Sequence, residues 1–166
     1  MSELARRLGN CTSFKEIFGI VKEAVKRELG LARGGLMLGL SDLPAAGERF
    51  VGGLYPVGSN IIVLNRIPLE MLSNTTDELF NSYCFYVLLH EYIHTLGVLN
   101  ERQVSELTYR VCRNALGPSH PATRISLMGI ASLFSGPHAL PALRRPIRRD
   151  IEIIRDFDDF DASYFS

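Results

Sequence analysis

With 166 residues, 46% of them hydrophobic and 22% charged, the chain falls in the range of one globular domain able to bury a core. Its 18 basic and 18 acidic residues cancel, which excludes the broad cationic face that a nucleic-acid backbone needs. Cys11, Cys84 and Cys112 are odd in number, far apart and free of C-x-x-C spacing. They read as small buried hydrophobes in a reducing, cytoplasmic compartment, not as a disulfide framework or zinc knuckle. Ser2-Glu3-Leu4-Ala5-Arg6-Arg7 has no signal-peptide core, and the most apolar stretch, residues 82–99, contains His90, Glu91 and His94, so neither export nor a membrane span is expected.

In chain order, Ser13-x-x-Glu16 has the form of a capping box, and Phe14, Ile17, Phe18, Val21, Ala24 and Val25 recur at helical spacing until Gly30. Beyond Gly34-Gly35, residues 36–40, 50–55 and 60–65 have strand character, separated by Pro44-Ala45-Ala46-Gly47 and Gly58-Ser59. Thr75-x-x-Glu78 is a second capping box, from which a helix should run without glycine or proline to Gly97. Asn100, with Gln103 three residues on, offers the N-cap of another helix striped by Val104, Leu107, Thr108 and Val111 and ending at Gly117-Pro118. These two helices should form an antiparallel hairpin. Residues 125–134 have helical character, and the end of the chain is biased, with Arg144, Arg145, Arg148 and Arg149 followed by Asp156, Asp158, Asp159 and Asp161 among Phe157, Phe160, Tyr164 and Phe165. The expected fold is α+β: a small mixed or antiparallel sheet of about three strands, packed on the N-terminal helix and the helical hairpin. It forms a single domain over residues 1–166, with a catalytic core at 12–123 and a C-terminal segment at 124–166 that is a candidate for regulation.

The chemistry lies in His90-Glu91-Tyr92-Ile93-His94. Residues four apart share a helix face, so both imidazoles can turn to one point, as a divalent metal requires. Zinc accepts such nitrogens in a tetrahedral site, and a catalytic site keeps its fourth position for water. Glu91, about 60° round the helix from His94, reaches the same side without ligating. It can take a proton from that water as it attacks a peptide carbonyl and pass it to the departing amine. Val87-Leu88-Leu89 places the motif in a buried helix, where unpartnered histidine and glutamate would be costly.

Read as H-E-Y-I-H-T-L-G, residues 90–97 resemble the zincin metallopeptidases. The wider stretch through Gly35-Leu36-Met37-Leu38-Gly39-Leu40 and Gly58-Ser59-Asn60-Ile61-Ile62-Val63-Leu64-Asn65 looks like the minimal, soluble minigluzincin and selecase group. The resemblance implies a minimal zincin-like fold and a sheet edge that pairs with extended substrate, a role given to the strand from Asn60 to Asn65. It also implies a third zinc ligand. Gluzincins use a glutamate on a second helix, for which Glu101 and Glu106 are candidates. Minigluzincins use a third histidine, which selects His120, held between prolines in Pro118-Ser119-His120-Pro121. Asn100, at the position a metzincin would use, is a poor ligand.

The expected protein is therefore a zinc-dependent metallopeptidase with His90, His94 and His120 as ligands and Glu91 as general base and acid, acting on peptide or unfolded-protein substrates. Tyr109 reads as a half-buried structural tyrosine before an oxyanion donor, and His138 as a surface-loop residue. The acidic, aromatic end is most simply a solvated tail. The resembled group holds itself latent through C-terminal segments, within a molecule or across an oligomer. That implies a sharper expectation: a tail carboxylate blocks the cleft, or a homo-oligomer does. The competing reading is a catalytically silent, zinc-stabilised binding or scaffold protein, in which four protein ligands would close the site.

Overall fold

The computed structural model describes residues 1–43, 51–134 and 145–158. Two short helices open the chain. α1 (Glu3–Gly9) is capped by the Ser2 hydroxyl, which accepts from the Ala5 N–H. In α2 (Phe14–Leu29), Ser13 accepts from the Glu16 N–H, and the Glu16 carboxylate reaches back to the Thr12 N–H and hydroxyl. The sheet contains β1 (Met37–Ser41), β2 (Gly53–Leu54), β3 (Ile61–Asn65) and β4 (Glu152–Ile154) in the order β2-β3-β1-β4. β1 and β3 are parallel, Met37 opposite Ile61, whereas β2 on β3 and β4 on β1 are antiparallel. The fold is α+β with a mixed sheet, as expected, but with a fourth strand.

After β3 come α3 (Arg66–Leu72), α4 (Asp77–Thr95), α5 (Glu101–Leu116), α6 (Pro121–Met128) and a 3-10 turn, Ile130–Phe134. α4 is capped by Thr76, one residue later than the sequence suggests, because the Thr75 hydroxyl is already bonded to the Leu72 carbonyl at the end of α3. α4 is the axis of the molecule. Tyr83, Phe85, Leu88, Leu89, Tyr92 and Ile93 are almost wholly buried, so the helix is apolar nearly all round and packs on α2, α5, α6 and the sheet. α5 instead buries one stripe, Val104, Thr108, Val111, Cys112 and Ala115, and keeps its opposite face in solvent. No helix among the described residues is long and apolar enough to cross a membrane.

One buried hydrophobic cluster takes in Leu4, Ala5 and Leu8 of α1, the central elements and Phe157 near the C-terminus. The C-terminal segment is not a solvated tail over its described part. β4 extends the sheet, the Phe157 ring stacks on Phe18 with centroids 4.3 Å apart, and the buried Asp158 carboxylate pairs with Lys22 and accepts from the Leu36 N–H. Arg145 clasps Asp42 with both terminal guanidinium nitrogens, at 2.6 and 2.8 Å, and also binds Glu70. His138, Arg144, Asp159, Phe160, Asp161, Tyr164 and Phe165 lie outside the described residues, as do Pro44-Ala45-Ala46-Gly47 and Phe50.

Candidate metal centre

α4 presents His90 and His94 one turn apart, with ring centroids 5.1 Å from each other. The helix ends at Thr95, the chain turns through Gly97 in the left-handed region (φ +102°), and Asn100 starts α5 by accepting from the Gln103 N–H. This short link sets Glu101, the first residue of α5, directly across from the two histidines. Its Oε2 is 3.1 Å from His90 Nε2 and its Oε1 2.9 Å from His94 Nε2. One ligand atom from each of the three residues lies within 4.8 Å of the others, and among the described residues no further side chain joins this group.

The hydrogen bonds of the two rings turn both Nε2 atoms towards Glu101. His94 Nδ1 is 2.8 Å from the Val98 carbonyl, which only accepts, so Nδ1 carries the proton. In the neutral ring Nε2 then offers a lone pair towards a carboxylate oxygen, an arrangement relieved only by a proton or a metal between them. A backbone carbonyl orienting a histidine in this way is the usual outer support of a metal ligand. His90 Nδ1 is buried without a partner, and burial outweighs the Glu101 charge to hold the His90 imidazole below its ordinary pKa. A neutral imidazole is the form that ligates. Two imidazoles and one carboxylate form a donor group that could hold a metal ion.

Glu91 is 6% exposed, and burial, with a smaller push from the Glu101 charge, raises its carboxyl to about 8. A divalent cation nearby would draw that value down again. Glu91 and Glu101 line two cavities that meet at the cluster. One of about 480 Å³ lies beside His90, against Val51, Tyr86, Val87 and Ile130, and the other of about 240 Å³ lies beside His94, against Leu54, Tyr55, Val57 and Leu99.

Sequence reasoning overlooked the wall between them. β2 is the sheet edge at the site, and Gly52 and Gly53 let it run tight against α4. A methyl group at Gly53 would stand 2.9 Å from the Val63 carbonyl and 3.4 Å from Glu91 Cγ, and one at Gly52 would stand 2.7 Å from Ile130. The double glycine inside a strand-like run was the available signal. β3, expected to be the substrate edge, is an inner strand between β2 and β1. Asn65 supports the edge from there, donating to the Val51 and Leu43 carbonyls and accepting from the Leu43 N–H, while Asn60 uses its carbonyl to receive the Met37 N–H.

The structure does not bring His120 to the cluster. The 16-residue α5 carries the chain about 24 Å away before it turns. His120 there caps α6, its Nδ1 accepting from the Ala122 N–H, in a cavity shared with Glu78 at the opposite end of α4. Glu106 is exposed and pairs with Arg102, Asn100 is engaged as a cap, and Tyr109 is half-buried and lines neither cavity. Asp158, committed to Lys22 and to the Leu36 N–H, lines neither cavity at the cluster. Comparison of the chain with protein-family models, curated proteins and solved structures finds no match.

Proposed function

We propose that the chain is a metal-dependent peptidase of the zincin type, with His90, His94 and Glu101 holding a zinc ion and Glu91 acting as general base and acid. The observation that carries this reading is the convergence of Glu101 on both motif histidines at 2.9–3.1 Å, with a buried carboxylate one residue away at the junction of two cavities. When bound, the metal would supply Lewis-acid polarisation of a carbonyl and acidification of water. The remaining work falls to the chain. Glu91 accepts the proton from water and returns it to the leaving amine, in a setting where burial already favours its protonated form. The free side of β2 offers main-chain groups to an extended peptide, and the two cavities take its side chains on either side of the scissile bond.

Among the described residues three donors converge, whereas a structural zinc site closes with four protein ligands, which supports the catalytic reading over a silent scaffold. The test is to strip the protein with chelator, restore one equivalent of zinc, and follow cleavage of unfolded casein beside Glu91→Gln. Cleavage that returns with zinc and falls at least about 1,000-fold in the variant, while zinc still binds, is expected. Stoichiometric zinc with no turnover by either protein would transfer the site to the structural class.

A further inference from the structure

Tyr92, which follows Glu91, is fully buried and packs edge-on against Phe18. Its hydroxyl accepts from the Arg33 N–H at 2.9 Å and donates to the Arg33 carbonyl at 3.2 Å, which fixes that residue beside the end of α4. The guanidinium then bridges two elements. Nη1 donates to the Thr95 carbonyl at 2.8 Å and to Tyr55 Oη at 3.2 Å, and Nη2 donates to the Ser59 carbonyl at 2.9 Å. Thr95 is the last residue of the helix that carries His94, whereas Tyr55 and Ser59 belong to the turn joining β2 to β3.

The turn closes on itself, through the Ser59 N–H to the Pro56 carbonyl and with Gly58 in the left-handed region, so Arg33 is not needed for its shape. β2 pairs with β3 through Gly53 and Leu54, beside the Asn65 N–H to Gly52 carbonyl bond, and the Asn60 carbonyl accepts from the Met37 N–H at the other end of the turn. Between these ends, the cavity wall of Leu54, Tyr55 and Val57 meets the end of α4 through Arg33. A planar guanidinium can satisfy a helix-end carbonyl and two turn acceptors at once, which a lysine ammonium cannot match in geometry.

We propose that Arg33 is a positioning residue that anchors the cleft wall of the β2–β3 turn to the end of the metal-bearing helix, setting how substrate lies without contributing to metal uptake. The inference rests on the peptidase reading of the site. Its test uses zinc-loaded wild type, Arg33→Met, Arg33→Lys and Tyr55→Phe, the last removing a hydroxyl that accepts from Arg33 and donates to the Ser59 carbonyl within the turn. Three quantities are read: zinc affinity by chelator competition, KM and kcat on fluorogenic unfolded casein, and hydrogen exchange of the amides of residues 54–60. For Arg33→Met the expected result is zinc affinity within threefold of wild type, KM raised about tenfold with kcat within twofold, and exchange at residues 54–60 at least tenfold faster. Arg33→Lys should recover part of both losses, and Tyr55→Phe should move KM and exchange in the same direction by less. Unchanged KM and exchange, or zinc affinity and kcat falling together, would overturn the assignment. If Arg33→Met does not fold, Arg33→Lys decides: KM and exchange should rise by less with zinc affinity and kcat held, and unchanged KM and exchange would overturn the assignment. A wild type that cleaves nothing with zinc bound refutes the peptidase reading and the role in substrate alignment with it, and exchange still judges the clamp itself.

Discussion

Replacing Glu101 by glutamine keeps the shape of the side chain and removes the charge that faces both histidines. Its two oxygens lie 2.9 and 3.1 Å from the Nε2 atoms, so a cation held there would lose its single anionic donor and keep two imidazoles. Mutation of an outer-sphere partner alone costs about 10- to 100-fold in metal affinity, so loss of a direct donor should cost at least about 100-fold. At zinc concentrations that saturate wild type, 100-fold is about 2.7 kcal/mol of linked stability. For a chain of this size, about 2–4 °C per kcal/mol turns that into a zinc-dependent rise in Tm smaller by about 5–11 °C. The metal-free protein should hardly change, because the Glu101 side chain is 73% exposed and pairs of that kind contribute about 0–1 kcal/mol. Thermal melts with and without zinc, beside chelator competition, measure both numbers. His120→Ala is the control and should leave zinc affinity within about twofold while costing about 1 kcal/mol as a lost cap. Zinc affinity unchanged in Glu101→Gln, or lost in His120→Ala, would refute the assignment of the third donor.

The C-terminal segment should behave as structure: Phe157→Ala, which empties a buried site stacked on Phe18, is expected to lower unfolding stability by about 3–5 kcal/mol in denaturant melts without changing zinc affinity. Ending the chain after Arg149 removes β4 and Asp158 as well, a loss comparable with the whole stability of a domain, so the truncated protein should unfold where a released inhibitor would leave it folded and faster. Acid stability supplies another check. The Arg145 guanidinium bonded to Asp42, helped by the Arg148 N–H, holds that carboxyl down at about 2 against burial. A depressed carboxyl stabilises the fold fully above its unfolded value near about 4, and that contribution fades as pH falls through about 2. The Tm gap between wild type and Asp42→Asn should therefore be widest near pH 6 and narrow by pH 2, and a constant gap would refute the linkage.

Local signals made α2, α4 and α5 legible, because each couples a hydroxyl or amide cap to apolar residues at helical spacing, and both features act within one turn. α1 and α3 have seven residues each, too few for a stripe to stand out, and the cap of α3 is Asn65, which is at the same time the last residue of a strand. β4 was hidden by charge. Asp156 and Asp158 suggest solvent, yet Asp158 is buried because Lys22, 136 residues earlier in the chain, meets it. No window along the sequence contains that pair.

The third member of the cluster was legible in principle. An Asn100 cap makes Glu101 the first residue of the return helix, and a helix of 16 residues at 1.5 Å per residue must carry His120 out of reach. The resemblance pulled towards a histidine, whereas helix geometry pointed to the glutamate that the same reasoning held as an alternative. The edge strand was harder to see, since the order β2-β3-β1 depends on a crossover that returns β3 between two earlier strands. The double glycine hinted only that a backbone passes something closely, not that the something was Glu91.

The three residues of the cluster differ in how firmly they are held, and this bears on how the proposed centre would assemble. His90 and His94 stand on a helix locked by buried neighbours on nearly every side, and the Val98 carbonyl sets the tautomer of His94. Ordering them costs nothing further when a metal arrives. Glu101 stands on the first turn of α5, 73% exposed, where its carboxylate meets both imidazoles without packing to restrain it. Metal affinity should therefore depend most on the link of residues 96–100, whose course is set by the left-handed Gly97 turn, the Val98 carbonyl against His94 and the Asn100 cap. Two donors wait in place, and the fold leaves the closing of the site to the third.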